Sequence, residues 1–171
     1  MDALTTALTK DILQILQEEK AAYTRLVAFS QEKRKAIVAN DADALDKVVQ
    51  GEKAVLGEIE EAEQKRLKNT ASWAAKLTLP PHEVTVSLIA AHIDGGEGEL
   101  LLSLQEEFLE ILTEQMKQNE INRELLKSKL EYLNSMIKTL TQEVQLTNTY
   151  GKDGGTVDAQ GGGSIGINAE V

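Results

Sequence analysis

The fold of this chain is decided by residues 97–147, which read EGELLLSLQEEFLEILTEQMKQNEINRELLKSKLEYLNSMIKTLTQEVQLT. After Gly98 the stretch contains neither proline nor glycine, the residues that most often interrupt a helix. Its apolar residues recur at three- and four-residue steps or sums of these, the period of a helix that packs lengthwise on other helices. They are Leu101, Leu104, Phe108, Leu112, Leu126, Leu133 and Leu140. At about 1.5 Å per residue this helix would be roughly 75 Å long, so it needs packing partners along its whole length.

The composition favours helices and argues against several classes of partner. Hydrophobic residues make up 42% of the chain and aromatic residues only 4%, a mixture typical of helical proteins. A net charge of -10 argues against binding to nucleic acid or to an anionic membrane surface. No cysteine is present, which excludes disulfides and thiolate metal sites. The chain has no apolar run of about 18 residues and no signal-peptide pattern at Met1-Asp2-Ala3, so we expect a cytoplasmic protein.

Two shorter helical segments precede the long one and predict an antiparallel hairpin. Helices are expected over residues 3–39 and 42–77, each roughly 55 Å long. Asn40-Asp41 separates them, because Asn closes helices readily and Asp is a good N-cap. Glu19 and Lys33 fall on the apolar stripe of the first helix, and we expect both side chains to reach out of the seam to water.

The connection between the hairpin and the long helix contains the only two prolines, Pro80 and Pro81, which end the second helix. A short helix is expected over residues 84–93, and the glycines after Asp94 predict a turn before the long helix. From residue 150 to residue 171 the chain becomes rich in glycine and is expected to be a flexible tail. The helices before it, residues 1–149, would form one domain.

Residues suited to catalysis or metal binding are few. His82 and His92 are the only histidines, and both are expected to be solvated surface residues of the connector. The glutamates at positions 106, 107 and 110 are typical of the solvated face of an amphipathic helix rather than of an acid–base pair. We therefore predict no enzyme activity, no metal site and no cofactor.

Three polar residues of the long helix, Gln115, Asn119 and Asn122, lie on or beside the seam where leucine would be expected. One interpretation is that buried amides set the register of the packed helices at a cost in stability. The other is a break that divides the helix into a packed half and a partly free half. The sequence leaves both interpretations open.

A dense apolar stripe follows these amides and is the candidate partner-binding site. Because the long helix would exceed the hairpin by roughly 20 Å, part of this stripe would lack intramolecular cover. An uncovered apolar stripe marks a partner site or a self-association site, and an amphipathic partner helix would suit it. The predicted partner-binding residues are Leu126, Leu130, Leu133, Ile137, Leu140 and Val144.

The chain resembles the FlgN family of flagellar export chaperones between about residues 13 and 154. In the hairpin the resemblance lies in Lys35-Ala36-Ile37, Asn40-Asp41, Leu45, Glu52-Lys53, Leu56, Ile59, Glu63 and Arg66. In the long helix and after it, the resemblance lies in Asn119, Asn122, Leu125, Leu126, Ser128, Leu130, Leu133, Tyr150-Gly151 and Gly154.

This resemblance implies a cytoplasmic, helical, non-enzymatic chaperone of the flagellar type III export system. Such chaperones bind the C-terminal helices of the hook–filament junction proteins FlgK and FlgL, prevent premature polymerisation and deliver them to the export gate. The family's substrate contact, ascribed mainly to the C-terminal helical part, falls here on the stripe from Leu126 to Val144. Tyr150 matches a family tyrosine and is a candidate residue for docking at the export gate.

The rival hypothesis is a structural coiled-coil or adaptor protein that self-associates through the same stripe and has no client. A chaperone should bind a partner helix in a defined complex, whereas a scaffold should form its oligomer alone. The sequence does not decide between a monomer and a homodimer.

Overall fold

The computed structural model describes residues 2–93 and 95–149, with side chains as far as residue 141. These residues form helices α1 (Ala3–Ala39), α2 (Ala42–Leu77), α3 (Val86–Ala91) and α4 (Gly96–Thr149), with a 3-10 turn at Pro81–Glu83 and no strand in the described ranges. The prediction of an all-α chain with one very long helix is confirmed. The predicted tail, residues 150–171, lies outside the described residues.

The chain divides into two compact units whose boundary lies between Leu126 and Lys127, within α4. The first unit contains α1, α2, α3 and the beginning of α4. The second unit begins at Lys127 and contains the rest of α4. The predicted seam amides lie in the first unit, and α4 is helical through all of them.

Side-chain and backbone caps define the hairpin. Asp2 caps α1 by accepting a hydrogen bond from the backbone N–H of Thr5 at 2.7 Å. Asn40 ends α1 in the left-handed region at φ 54°, and Asp41 begins α2 by accepting from the N–H of Ala44 at 2.9 Å. The caps at Asn40 and Asp41 satisfy backbone groups that a helix end leaves unpaired, as predicted from the Asn-Asp pair.

The main apolar core lies at the end of the hairpin where α1 begins and α2 ends. Trp73 is fully buried there, and α1 contributes four apolar residues, of which Leu8, Ile12 and Leu16 follow one another at four-residue steps. α3 and the beginning of α4 cover this end of the hairpin. The core residues are Leu8, Ile12, Leu13, Leu16, Trp73, Ile89, Ala90, Ile93, Leu101 and Leu104.

The elbow between α3 and α4 requires a glycine at position 98. A Cβ atom at Gly98 would lie 2.9 Å from the carbonyl oxygen of Ala90 and 3.4 Å from that of Ile93. Since both neighbours are backbone atoms, they cannot move aside as a side chain can. α3 is shorter than the predicted residues 84–93, because the Thr85 hydroxyl caps it by accepting from the N–H of Leu88.

Beyond the main core, buried polar residues also lie between the helices. A second small cluster joins α1 and α2 through Ala22, Leu26, Val55 and Ile59. It is followed by buried polar residues on all three long helices, among them Ser30, Glu52, Gln115 and Asn122. The two apolar clusters of the first unit are therefore followed by a region in which polar side chains are buried between the helices.

Candidate functional site

The predicted partner-binding stripe is exposed wherever the structure describes it. Leu126, the last residue of the first unit, is 41% exposed. In the second unit, Leu130, Leu133, Ile137 and Leu140 are between 49% and 61% exposed. Burial of one such leucine side chain against a partner would release roughly 1 kcal/mol or more. The Val144 side chain and the whole of Tyr150 lie outside the described residues.

Two large side chains near the stripe were missed by the sequence reasoning. Tyr132 is 67% exposed and Met136 is 40% exposed. Their signal in the sequence is their spacing of four residues, which places them one above the other on a helix. Tyrosine and methionine suit a binding surface, because tyrosine combines an apolar ring with a hydroxyl and methionine adapts its shape.

The charge around the stripe is opposite in sign to that of the whole protein. Residues 126–140 carry Lys127, Lys129 and Lys138 but only one carboxylate, Glu131. The complete chain has a net charge of -10. This surface therefore combines exposed apolar side chains with a local positive charge, which favours a partner with an acidic rim.

A second exposed stripe lies on the part of α4 that belongs to the first unit. Its residues are Leu102, Leu109 and Met116, spaced seven apart and between 41% and 74% exposed. The seam predicted from the sequence runs along the neighbouring face through Leu101 and Leu104, which is buried in the main core. The heptad spacing from Leu102 onward was the signal that would have revealed the second face.

The seam amides fix α4 against α1 through one serine of α1. Asn122 donates its Nδ2 hydrogen to the backbone oxygen of Ser30 at 2.8 Å, and Gln115 donates to the Ser30 hydroxyl at 3.1 Å. Gln115 also donates to Asn119 at 3.2 Å, so Asn119 joins the network from the solvent side. Buried amides with specific partners favour the register-setting interpretation over a break in the helix.

The prediction that the Glu19 side chain reaches out to water is wrong, because this side chain is buried. It is 2% exposed and accepts a hydrogen bond from Nε of Arg66 at 3.0 Å. Its other carboxylate oxygen is buried without a hydrogen-bond partner. Burial raises the pKa of Glu19, while the Arg66 guanidinium acts in the opposite direction. Lys33, the other charged residue on that stripe, is paired with Glu52.

A cavity of about 310 Å³ opens beside Glu19 between the three long helices of the first unit. Its walls include Tyr23 of α1, Ile59 of α2, and Leu109 and Leu112 of α4. The apolar side chains that line the gap between α2 and α4 thus range from buried Ile59 through half-buried Leu112 to exposed Leu109. The gap adjoins the exposed stripe of Leu102, Leu109 and Met116.

The histidines occupy the exposed positions that were predicted for them. His82 is exposed on the 3-10 turn, and His92, which follows α3, donates a hydrogen bond from Nδ1 to the Leu88 carbonyl oxygen at 2.8 Å. Among the described residues, no group of three or more His, Cys, Asp or Glu side chains could hold a metal ion. None of the helices described is long and apolar enough to cross a bilayer.

Comparison with known proteins shows two similarities. The sequence model of one protein family, described as FlgN protein, matches residues 1–158 of this chain. The "Uncharacterized protein YvyG" of Bacillus subtilis (strain 168) is 27% identical over 124 residues, which cover 72% of this chain and 75% of that protein. No solved structure matches the chain.

Proposed function

The chain belongs to the FlgN family, a family of flagellar export chaperones, and on this premise we propose that it binds the C-terminal helices of hook–filament junction proteins. The FlgK and FlgL type of junction protein is the proposed client. The chaperone holds these helices in the cytoplasm, prevents their premature polymerisation and delivers them to the export gate. It acts by binding and not by catalysis.

The observation that carries this proposal is the exposed stripe of Leu126, Leu130, Leu133, Ile137 and Leu140. An isolated chain that leaves so many large aliphatic side chains in water gains free energy when an apolar partner covers them. The stripe is helical, so a partner helix can place its own side chains between successive turns. A filament subunit whose terminal helices await assembly offers such an apolar face.

The proposed site extends to two residues outside the described side chains. Val144 continues the spacing of the stripe by four residues after Leu140. Tyr150 follows the end of α4 and is proposed to dock on the export apparatus. A strain carrying Tyr150→Ala tests that assignment. The amount of junction protein that it exports is measured, and the affinity of the variant for the client is measured in parallel.

Leu133→Glu tests the client site directly. The new carboxylate would be desolvated against an apolar client helix, and we expect the affinity for a junction-protein C-terminal peptide to fall at least about 30-fold, a loss of roughly 2 kcal/mol. Titration calorimetry with that peptide measures the change. Ser135→Glu is the matched control, because it introduces the same charge two residues away on another face of the helix.

The control variant should bind within about twofold of the parent chain, since a charge outside the interface has little effect. Both variants should keep the helical content of the parent, because positions 133 and 135 are exposed. Undiminished peptide binding by Leu133→Glu would show that the client lies elsewhere. A chain that forms the same oligomer with and without the peptide would instead support the structural-adaptor hypothesis.

A further inference from the structure

The cavity beside Glu19 is lined by residues from all four helices of the first unit. Tyr23 belongs to α1, Ile59 to α2, Val86 to α3 and Leu112 to α4. Its volume of about 310 Å³ lies at the lower end of the range of pockets that hold small molecules, about 300–1,000 Å³. None of the described residues that line this Glu19 cavity belongs to the proposed client stripe, so an inference about it is independent of the proposed function.

Glu19 places a hydrogen-bond acceptor without a donor at the cavity. One carboxylate oxygen, Oε1, accepts from Nε of Arg66 at 3.0 Å. The other oxygen, Oε2, is buried and has no hydrogen-bond partner in the chain. A buried acceptor that is left unpaired costs free energy, and a ligand that donates to it recovers this cost. The cavity therefore has a position at which a donor group would be held.

The charges around the cavity favour a cation. Its charged lining residues are Glu19, Glu63 and Arg66. Nη2 of Arg66 lies 3.7 Å from Oε1 of Glu63, so one guanidinium faces two carboxylates and one negative charge remains unbalanced. Burial raises the pKa of Tyr23, and the negative charges of Glu19 and Glu63 raise it further. A positively charged donor suits this surrounding, and an anion does not.

The remaining walls suit an apolar stem that carries the charge. Ile59 is buried, Leu112 is half-buried, and both line the cavity. The rings of Tyr23 and Phe108, also in the wall, have centroids 5.4 Å apart and planes inclined at 57°. Aromatic faces attract cations, and burial of methylene groups against such walls is favourable. The ligand class that combines these features is a cationic group on a short hydrocarbon chain.

We propose that the Glu19 cavity binds an organic monocation, a primary ammonium or a guanidinium on an apolar stem of about four carbons. The cationic group donates to Oε2 of Glu19, and the stem lies between the side chains of Ile59 and Leu112. A free aliphatic amine and the side chain of a lysine or arginine in a partner protein share this chemistry.

Titration of the isotopically labelled full-length chain with n-butylammonium, followed by NMR, tests the site. The experiment is done at pH 8, because burial raises the pKa of Glu19 and the cation needs the ionised carboxylate. We expect a Kd of about 1–10 mM, the range for a probe of this size, and nuclear Overhauser contacts from the butyl chain to the methyl groups of Ile59 and Leu112. Uncharged n-butanol should bind at least about tenfold more weakly.

Glu19→Gln tests the assigned acceptor. We expect the Kd for n-butylammonium to rise at least about tenfold, because the charge-assisted hydrogen bond is lost. Glu58→Gln is the matched control, since it removes the same charge from an exposed residue of α2 that does not line the cavity. The control should bind within about twofold of the parent chain. The nuclear Overhauser contacts are measured on the unmodified chain, so the test does not depend on how the variants fold.

A second probe distinguishes the two sources of the cation. Nα-acetyl-lysine N-methylamide carries the same ammonium and stem on a piece of peptide backbone. Weaker binding of this probe than of n-butylammonium assigns the site to a free amine, and equal or tighter binding assigns it to a side chain of a partner. Absence of cavity contacts with both probes, equal binding of n-butanol, or undiminished affinity of Glu19→Gln would overturn the proposal.

Discussion

At the scale of single residues, Glu19 contributes to the dependence of the first unit's stability on pH. Its carboxylate is buried with one oxygen unpaired, and burial raises its pKa above the ordinary value of 4.5. A carboxyl group with a raised pKa in the folded state binds its proton more tightly when folded. Its contribution to stability is therefore complete below pH 4.5 and is lost as the pH rises through the raised pKa.

Glu19→Gln tests this sign. We expect the free energy of unfolding of the parent, minus that of the variant, to decrease as the pH rises from roughly 4 toward 8 and then to level off. Urea unfolding at several pH values, followed by circular dichroism, measures the difference. A difference that increases with pH would contradict the assigned direction.

The matched control is Glu58→Gln. Glu58 is exposed, and its hydrogen bonds with Arg25 lower its pKa. The corresponding difference between parent and control should therefore change in the opposite direction, rising with pH.

At the scale of secondary-structure elements, the elbow between α3 and α4 depends on a close backbone approach. Gly98 lies in the first turn of α4 and leaves no room for a Cβ atom between itself and the carbonyl oxygen of Ala90. This approach brings Ile89, Ala90 and Ile93 into the core with Leu101 and Leu104. The elbow thus decides whether the beginning of α4 closes the apolar end of the hairpin.

Gly98→Ala should destabilise the protein by about 1–3 kcal/mol, because the two helices must separate to admit the methyl group. Gly57→Ala is the control, since apart from its chain neighbours and the local backbone of α2 nothing lies within 4 Å of its added Cβ. That substitution should stabilise by about 0.5–1 kcal/mol, the usual gain of alanine over glycine inside a helix. Urea unfolding of both variants measures the contrast, and equal effects would rule out the close approach.

At the scale of the whole molecule, the described core lies in the first unit, and the proposed client site lies in the second unit apart from Leu126. The apolar clusters and the buried polar contacts of α4 all lie between residues 1 and 126. The exposed apolar residues from Leu130 to Leu140 all lie in the second unit. Removal of the second unit would therefore remove no residue of the described core.

A chain truncated after Leu126 should separate the two properties. We expect it to unfold cooperatively in urea with a midpoint close to that of the full chain, because the main core is intact. It should lose binding to a junction-protein peptide, since Leu130, Leu133, Ile137 and Leu140 are removed. Circular dichroism and calorimetry measure the two outcomes. Retention of full affinity by the truncated chain would place the client site in the first unit.

The sequence by itself determined the helices, because their signals are local. The Asn40-Asp41 pair and the prolines at 80 and 81 end or begin helices through their own backbone and side-chain chemistry. The three- and four-residue spacing from Leu126 to Leu140 likewise predicted an apolar stripe without reference to other segments.

Only the tertiary structure decided which faces are buried. Periodicity identified Leu101 and Leu104 but did not separate their face from the neighbouring one of Leu102, Leu109 and Met116, since both are apolar. Burial depends on which helix lies opposite, as Glu19 shows: Arg66, 47 residues away in sequence, pairs with it inside the first unit. A local pattern carries no information about such distant partners, so the buried ion pair and the second exposed face became visible only when α1, α2 and α4 were packed together.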